Sequence, residues 1–163
     1  MSAIPESPPR SWAEVDLSGI RHNLAIARKL SGQGIMAVVK ASAYGHGLEA
    51  VAGALEQEEI TFFGVANVGE ARRLSEAGVR TPIYLLGGTF PSEREEVIAH
   101  HWLPCLNTME EARHFDQLAR HGGTVVEAHL TVDTGMGRGG FLASDAPAAL
   151  EAIRSRPGIR ISS

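Results

Sequence analysis

Cysteine is almost missing from this sequence, with Cys105 alone among 163 residues. No internal disulfide can form, and a lone thiol fits a reducing compartment. Long apolar runs are missing too: none approaches the roughly 18 residues that suggest a membrane span. Concentrated basic charge is also absent. Fifteen Lys+Arg stand against nineteen Asp+Glu, a net charge of −4, and no basic block exceeds two residues. That balance argues against nucleic acid and against an acidic membrane surface as partners. The first eleven residues carry three prolines and no apolar core, so they read as a flexible arm and not as a signal peptide. Residues 12–163 are read as the folded part, about one domain with room for a real hydrophobic core. The expectation is a soluble cytoplasmic chain.

What is there is an alternation of two periods. Trp12 to Asp16 alternates as a short strand with Ala13 and Val15 on one face. From Leu17 the apolar positions Leu17, Ile20, Leu24, Ala27 and Leu30 recur every three or four residues, the stripe of an amphipathic helix stopped at Gly32. Ile35 to Val39 is then a continuous apolar run ending in Lys40, as expected of a strand buried on both faces of a parallel sheet. The two beats repeat. Helices are predicted over 48–55, 71–77, from Pro91, over 108–120 with Asn107 as cap, and over 145–154; strands over 62–66, 83–86, 103–106, 124–130 and from Ile159. The strand at 103–106 is read as weakened by Pro104. Strands alternating with helices imply right-handed βαβ crossovers and a parallel α/β sheet, either open and doubly wound or part of a barrel. No long-period repeat points to a solenoid. The last apolar run stops within two residues, which reads as a fragment of a larger design.

Working residues in such folds gather at the C-terminal ends of strands. Two segments stand out there. In Val38-Val-Lys40-Ala-Ser-Ala-Tyr44-Gly-His-Gly47 a lysine ends a buried strand. Low dielectric on one side disfavours a charged ammonium, which suits a Schiff-base nucleophile. Tyr44 can donate to an anion, and Gly45 and Gly47 allow close backbone approach. A lone lysine at a strand end also simply snorkels to water; the tyrosine and two glycines favour the site.

The second segment is Val132-Asp-Thr-Gly-Met-Gly-Arg138-Gly-Gly140. Its glycines expose backbone N–H groups, and Arg138 offers a planar fork for a carboxylate or phenolate oxygen. Gly135-x-Gly137-x-x-Gly140 matches a dinucleotide fingerprint literally. It is rejected, because no helix opens on the glycines and no acid follows near position 160. Asp133 reads as a turn former. His100 and His101, being adjacent, fall on different faces of a helix, and no Cys/His spacing resembles a metal site.

Ala37-Val-Val-Lys40-Ala-Ser-Ala-Tyr44-Gly-His-Gly47 resembles the pyridoxal-phosphate attachment motif of bacterial alanine racemases, and Val132-Asp-Thr-Gly-Met-Gly-Arg138 resembles their second signature. Trp12 to Leu17 with Ile20-Arg-His-Asn23 is similar to their opening segment. The resemblance implies a (β/α)8 barrel followed by a β-domain, in a homodimer. About five to six parallel strands of that barrel would lie here, with the rest of the barrel and the β-domain absent. It also implies pyridoxal phosphate bound as a Schiff base on Lys40, with Lys40 the base on one face of alanine. Tyr44 would bind the cofactor phosphate, and Arg138 would bind the ring oxygen and help place the substrate carboxylate. The opposite-face base would lie in the later half, so this chain alone is expected to be inactive. Two positions depart from the family: Thr131 where a lysine often orients the arginine, and Ser42 where Asp or Asn is common. A single-barrel protein that binds pyridoxal phosphate without racemising is the alternative.

Overall fold

The computed structural model describes residues 11–162; the arm assigned to residues 1–11 lies outside the described residues except for Ser11. The chain runs through helix α1 (Leu17–Ser31), strand β1 (Met36–Val38), a short turn α2 (Lys40–Tyr44), α3 (Leu48–Glu56), β2 (Phe62–Val65), α4 (Val68–Glu76) and β3 (Ile83–Leu85). A 3-10 turn (Pro91–Glu93) leads into α5 (Arg94–Ala99), then β4 (Leu103–Leu106), α6 (Met109–His121) and β5 (Val126–Leu130). The short strands β6 (Val132–Asp133) and β7 (Phe141–Leu142), helix α7 (Ala146–Arg154) and β8 (Ile159–Ile161) complete it.

Six strands form one parallel sheet in the order β1-β2-β3-β4-β5-β8. Because the order never reverses, every crossover helix returns to the same face. A doubly wound sheet needs a reversal; its absence makes this the arc of a (β/α) barrel. Phe63, Val65, Leu85, Leu106 and Ala128 are fully buried beneath the helices, against Leu48, Leu74, Val97, Phe115 and Ile153. Burying a side chain of Leu or Phe size is worth roughly 1.5–3 kcal/mol, so this layer is the core.

The opposite face of the sheet carries a second set of side chains, exposed at Val38 and Leu86 and buried at Cys105 and His129. A Cβ on Gly64 would stand 3.2 Å from Met36 Sδ, 3.3 Å from Val38 Cγ2 and 3.3 Å from Leu86 Cδ1, so these residues share the inner face. Tyr84, Cys105 and His129 share it as well. The Cys105 thiol donates to the Tyr84 oxygen at 3.1 Å, and the Tyr84 and His129 rings are 4.4 Å apart. Burial pushes the Tyr84 phenol and the Cys105 thiol above their usual ranges, and pushes the His129 imidazole down.

Several local expectations are corrected. Residues 12–16 form no strand, since no described strand runs beside them; Trp12 is exposed and Asp16 instead caps α1 through Ser18 N. Of the α1 stripe only Leu24 is buried; Leu17 and Ile20 are partly covered, and Ala27 and Leu30 face solvent beyond the edge of the sheet. Strand β1 is not buried on both faces: Met36 and Ala37 are half-buried, and Val38, on the inner face, is exposed. Pro104 does not weaken β4: it is fully buried, and pairing continues through Leu103 and Cys105 on either side. Thr108, not Asn107, caps α6, its side chain accepting from Glu111 N. Helix α4 starts three residues before the expected position because Asn67 caps it, and β5 starts two residues late. His100 and His101 lie past the end of α5, where His101 is left-handed and His100 stacks on Trp102. No described helix is long and apolar enough to cross a membrane.

Candidate active site

The chain changes hand immediately after β1. Strand pairing ends at Val38, so Lys40 is not the last strand residue but the first of the turn. Ala41, Ser42, Ala43 and Tyr44 then all adopt left-handed helical angles, with φ of 51°, 56°, 52° and 54°. Each non-glycine residue there costs roughly 1–2 kcal/mol, so four in succession need external support. That support is visible. Ala43 N donates to Val39 O at 2.7 Å, Gly47 N to Ser42 O at 2.8 Å, and the His46 ring to Ala43 O at 2.8 Å. Gly45 and Gly47, at φ of 88° and 92°, continue the positive-φ path into α3.

The turn leaves Lys40 partly buried on the rim and Tyr44 exposed beside it. Among the described residues the Lys40 side chain makes no hydrogen bond and no ion pair. A carboxylate from the next βα unit supports the turn from outside. Glu70 accepts from Ala41 N at 2.7 Å through Oε1 and from Ala66 N at 2.8 Å through Oε2. Sequence reasoning passed over Glu70. A signal existed in the echo between Ala66-Asn-Val-Gly-Glu70-Ala-Arg and Asn107-Thr-Met-Glu-Glu111-Ala-Arg. In both, a glutamate three residues past the cap accepts from the residue before it; Glu111 Oε2 takes Asn107 N at 2.7 Å.

The second segment lies on the same rim, in the loop between β6 and β7, a small parallel pair that sequence periodicity did not reveal. Asp133 is the turn former it was read to be. Its carboxylate accepts from Gly135 N at 2.9 Å and Gly137 N at 3.0 Å, and the Gly137 and then Gly135 amides hold its pKa below the usual 3.8. Arg138 is exposed and lines a cleft of about 470 Å³ with Asn107, Glu111, Thr131 and Gly87. Gly140 closes the loop at φ 103°, where a Cβ would stand 2.8 Å from Thr131 O. Thr131 Oγ1 is buried, close enough to the Cys105 thiol to act on it.

Lys40 and Tyr44 therefore stand together past β1, and Arg138 stands apart past β5, four strands along the same rim. No hydrogen bond or ion pair joins the two groups among the described residues. No group of three or more His, Cys, Asp or Glu side chains among the described residues is arranged to hold a metal ion.

Residues 15–163 match the family model described as "Alanine racemase, N-terminal domain". The alanine racemase of Geobacter sulfurreducens is 39% identical over 144 residues, covering 87% of this chain and 38% of the relative. That of Synechocystis sp. is 39% identical over 157 residues, covering 94% and 42%. Among solved structures, alanine racemase of Clostridium difficile 630 superposes with a TM-score of 0.88 at 29% identity, over 96% of this chain and 42% of that one. A histidine racemase from Leuconostoc mesenteroides superposes at 0.80 with 29% identity, over 88% and 39%. The chain spans about two fifths of the length of the curated relatives it matches. With its singly wound sheet, its Lys40 turn and its Arg138 loop, the chain belongs to the alanine racemase N-terminal domain family.

Proposed function

We propose that this chain provides the Lys40 face of a pyridoxal-phosphate-dependent alanine racemase, which interconverts L- and D-alanine for cell-wall precursor supply in the cytoplasm and works as a homodimer. The observation that carries the reading is the lysine itself, an amine on the C-terminal rim with no hydrogen-bond or ion-pair partner among the described residues, presented by a strained left-handed turn. The donor set suits a phosphorylated aromatic aldehyde. It offers an amine at Lys40, a phenol at Tyr44, a guanidinium at Arg138, and open space where a Cβ would sit on Gly45. Pyridoxal phosphate, when bound, supplies an electron sink for the charge left on the amino-acid Cα.

The chain's own residues then divide the remaining work. Lys40 would hold the cofactor and would take or return a proton on one face of Cα. Tyr44, exposed on its turn, donates its phenolic O–H to the phosphate. Arg138 presents paired N–H donors to the ring oxygen and to the substrate carboxylate. Asp133 keeps the Arg138 loop closed by occupying two of its amides. Racemisation needs a second proton carrier on the opposite face; in this proposal it comes from the portion of the relatives that the chain does not span. Without it the rate falls by about 10²–10⁴-fold, the usual scale of general acid–base catalysis.

The sequence contains its own control for a test. Its only lysines are Lys29, exposed on α1, and Lys40. The chain is incubated with pyridoxal phosphate, reduced with borohydride and mapped by peptide mass. Attachment concentrated on Lys40 and abolished in Lys40→Ala supports the reading; equal labelling of Lys29 and Lys40 overturns it.

A further inference from the structure

The amide that follows Lys40 is held by a residue 29 positions away in sequence. Ala41 N donates to Glu70 Oε1 at 2.7 Å, and the other oxygen of the same carboxylate takes Ala66 N at 2.8 Å. Ala66 follows β2, and Lys40 follows β1, whose register against β2 is Val38 opposite Gly64. One carboxylate thus ties together the exits of two neighbouring strands. Glu70 is itself fixed, because its own N–H donates to the Asn67 cap at 3.0 Å, the position that starts α4.

We propose that Glu70 is a positioning residue for Lys40, a role that rests on reading Lys40 as the cofactor-bearing amine. Ala41 is the first of the four left-handed residues, and reversal of hand there sets where the preceding Cα–Cβ bond of Lys40 points. The hydrogen bonds inside the turn, from Ala43, Gly47 and His46, use carbonyl acceptors and leave the Ala41 amide to Glu70. Without that acceptor the turn is free to relax toward right-handed angles, which alanine, serine and tyrosine all prefer. Lys40 then loses its fixed direction. A bond from N–H to a carboxylate is about twice as strong as a neutral one, and two of them on one side chain make the clamp specific for a bidentate acid.

Two readouts test this. Amide hydrogen exchange, measured without cofactor, compares the wild-type chain with Glu70→Gln and Glu70→Ala. Glu70→Ala is expected to speed exchange at Ala41 by about tenfold or more, the scale of a lost charged hydrogen bond, and Glu70→Gln to speed it at either Ala41 or Ala66, while β3 and β4 keep their protection. Gln has one acceptor oxygen and can serve only one of the two amides, so Glu70→Gln keeps the fold while still breaking the clamp. The second readout is the initial rate of borohydride-trapped pyridoxal phosphate on Lys40 relative to Lys29 in the same molecule. The clamp predicts that this ratio falls about tenfold or more in Glu70→Ala, with the Lys29 rate unchanged. Unchanged exchange at Ala41 in Glu70→Ala, or an unchanged ratio despite faster exchange, overturns the proposal. Absence of Lys40 preference in the wild-type chain overturns the cofactor reading instead, and the exchange at Ala41 then decides the clamp by itself.

Discussion

Replacing Asp116 with alanine should loosen the last strand of the sheet more than any surface change on α6. Asp116 is only 4% exposed, and its Oδ1 accepts from Gly158 N at 2.9 Å, a buried bond between α6 and the entry to β8. Its Oδ2 lies 3.6 Å from Arg156 Nη1. Gly158 is there because the approach is close: a Cβ would stand 2.8 Å from Asp116 O. Gly158 O in turn accepts from Val126 N, the first residue of β5, so the glycine links three elements. Truncation leaves a buried N–H unsatisfied, at about 1–3 kcal/mol, and removes the partner of Arg156. Breaking a fully buried pair costs about 3–5 kcal/mol. The Arg156 side chain is 26% exposed, so water replaces much of that loss. The sum is about 2–4 kcal/mol for Asp116→Ala, equivalent to roughly 5–15 °C in Tm for a chain of this size. Asp116→Asn keeps an oxygen for Gly158 and loses only the charge, so about half that effect is expected. Urea unfolding with a shared m-value measures both. A loss below about 1 kcal/mol in the alanine variant, within the range of an ordinary surface change, would refute the reasoning; so would equal losses in both variants.

Two further outcomes concern titration. Burial lowers the His129 imidazole below its usual 6.5 against the opposing pull of Glu127. The unfolded state therefore binds more protons between the lowered value and 6.5, and stability falls as pH drops through that window and levels off below it. Urea midpoints taken between about pH 5 and pH 8, a range in which histidine titrates, should show this slope, and His129→Asn should flatten it. Asp133 has its pKa lowered by the amides of Gly137 and Gly135. Its hold on the Arg138 loop is therefore complete above 3.8 and lost as pH falls through the lowered value. NMR exchange of the Gly137 amide should show that transition in the wild-type chain and faster exchange at all pH values in Asp133→Ala, with the thermal midpoint unchanged.

Much of the fold could be read from local pattern. Apolar runs such as Phe62 to Val65 and stripes such as that of α6 report which side of an element meets a core, whatever lies across from them. The candidate site was legible for the same reason. Lys40 closes an apolar run and Asp133 opens a glycine-rich turn, so both could be assigned to the C-terminal rim without knowing which strands are neighbours, although the run was read two residues too long at Lys40. Errors arose where the deciding partner was remote. Nothing within Trp12 to Asp16 says whether a strand runs beside it, and nothing within Ile35 to Val39 says that β1 is an edge. Pro104 looked disruptive because the missing N–H is local, whereas its burial against the core depends on the sheet as a whole.

The sequence by itself determined the succession of strands and helices, the two glycine-rich rim segments and the family to which they point. Each of these depends on residues within about one turn or one pleat of each other. Only the tertiary structure decided that the sheet winds in one direction, bringing Tyr84, Cys105 and His129 together on its inner face. It alone also decided that the Lys40 turn is left-handed and is tied at Ala41 to Glu70. Backbone hand and hydrogen-bond partnership are set by whichever acceptor the neighbouring unit brings within reach, and across 29 residues no local period carries that information.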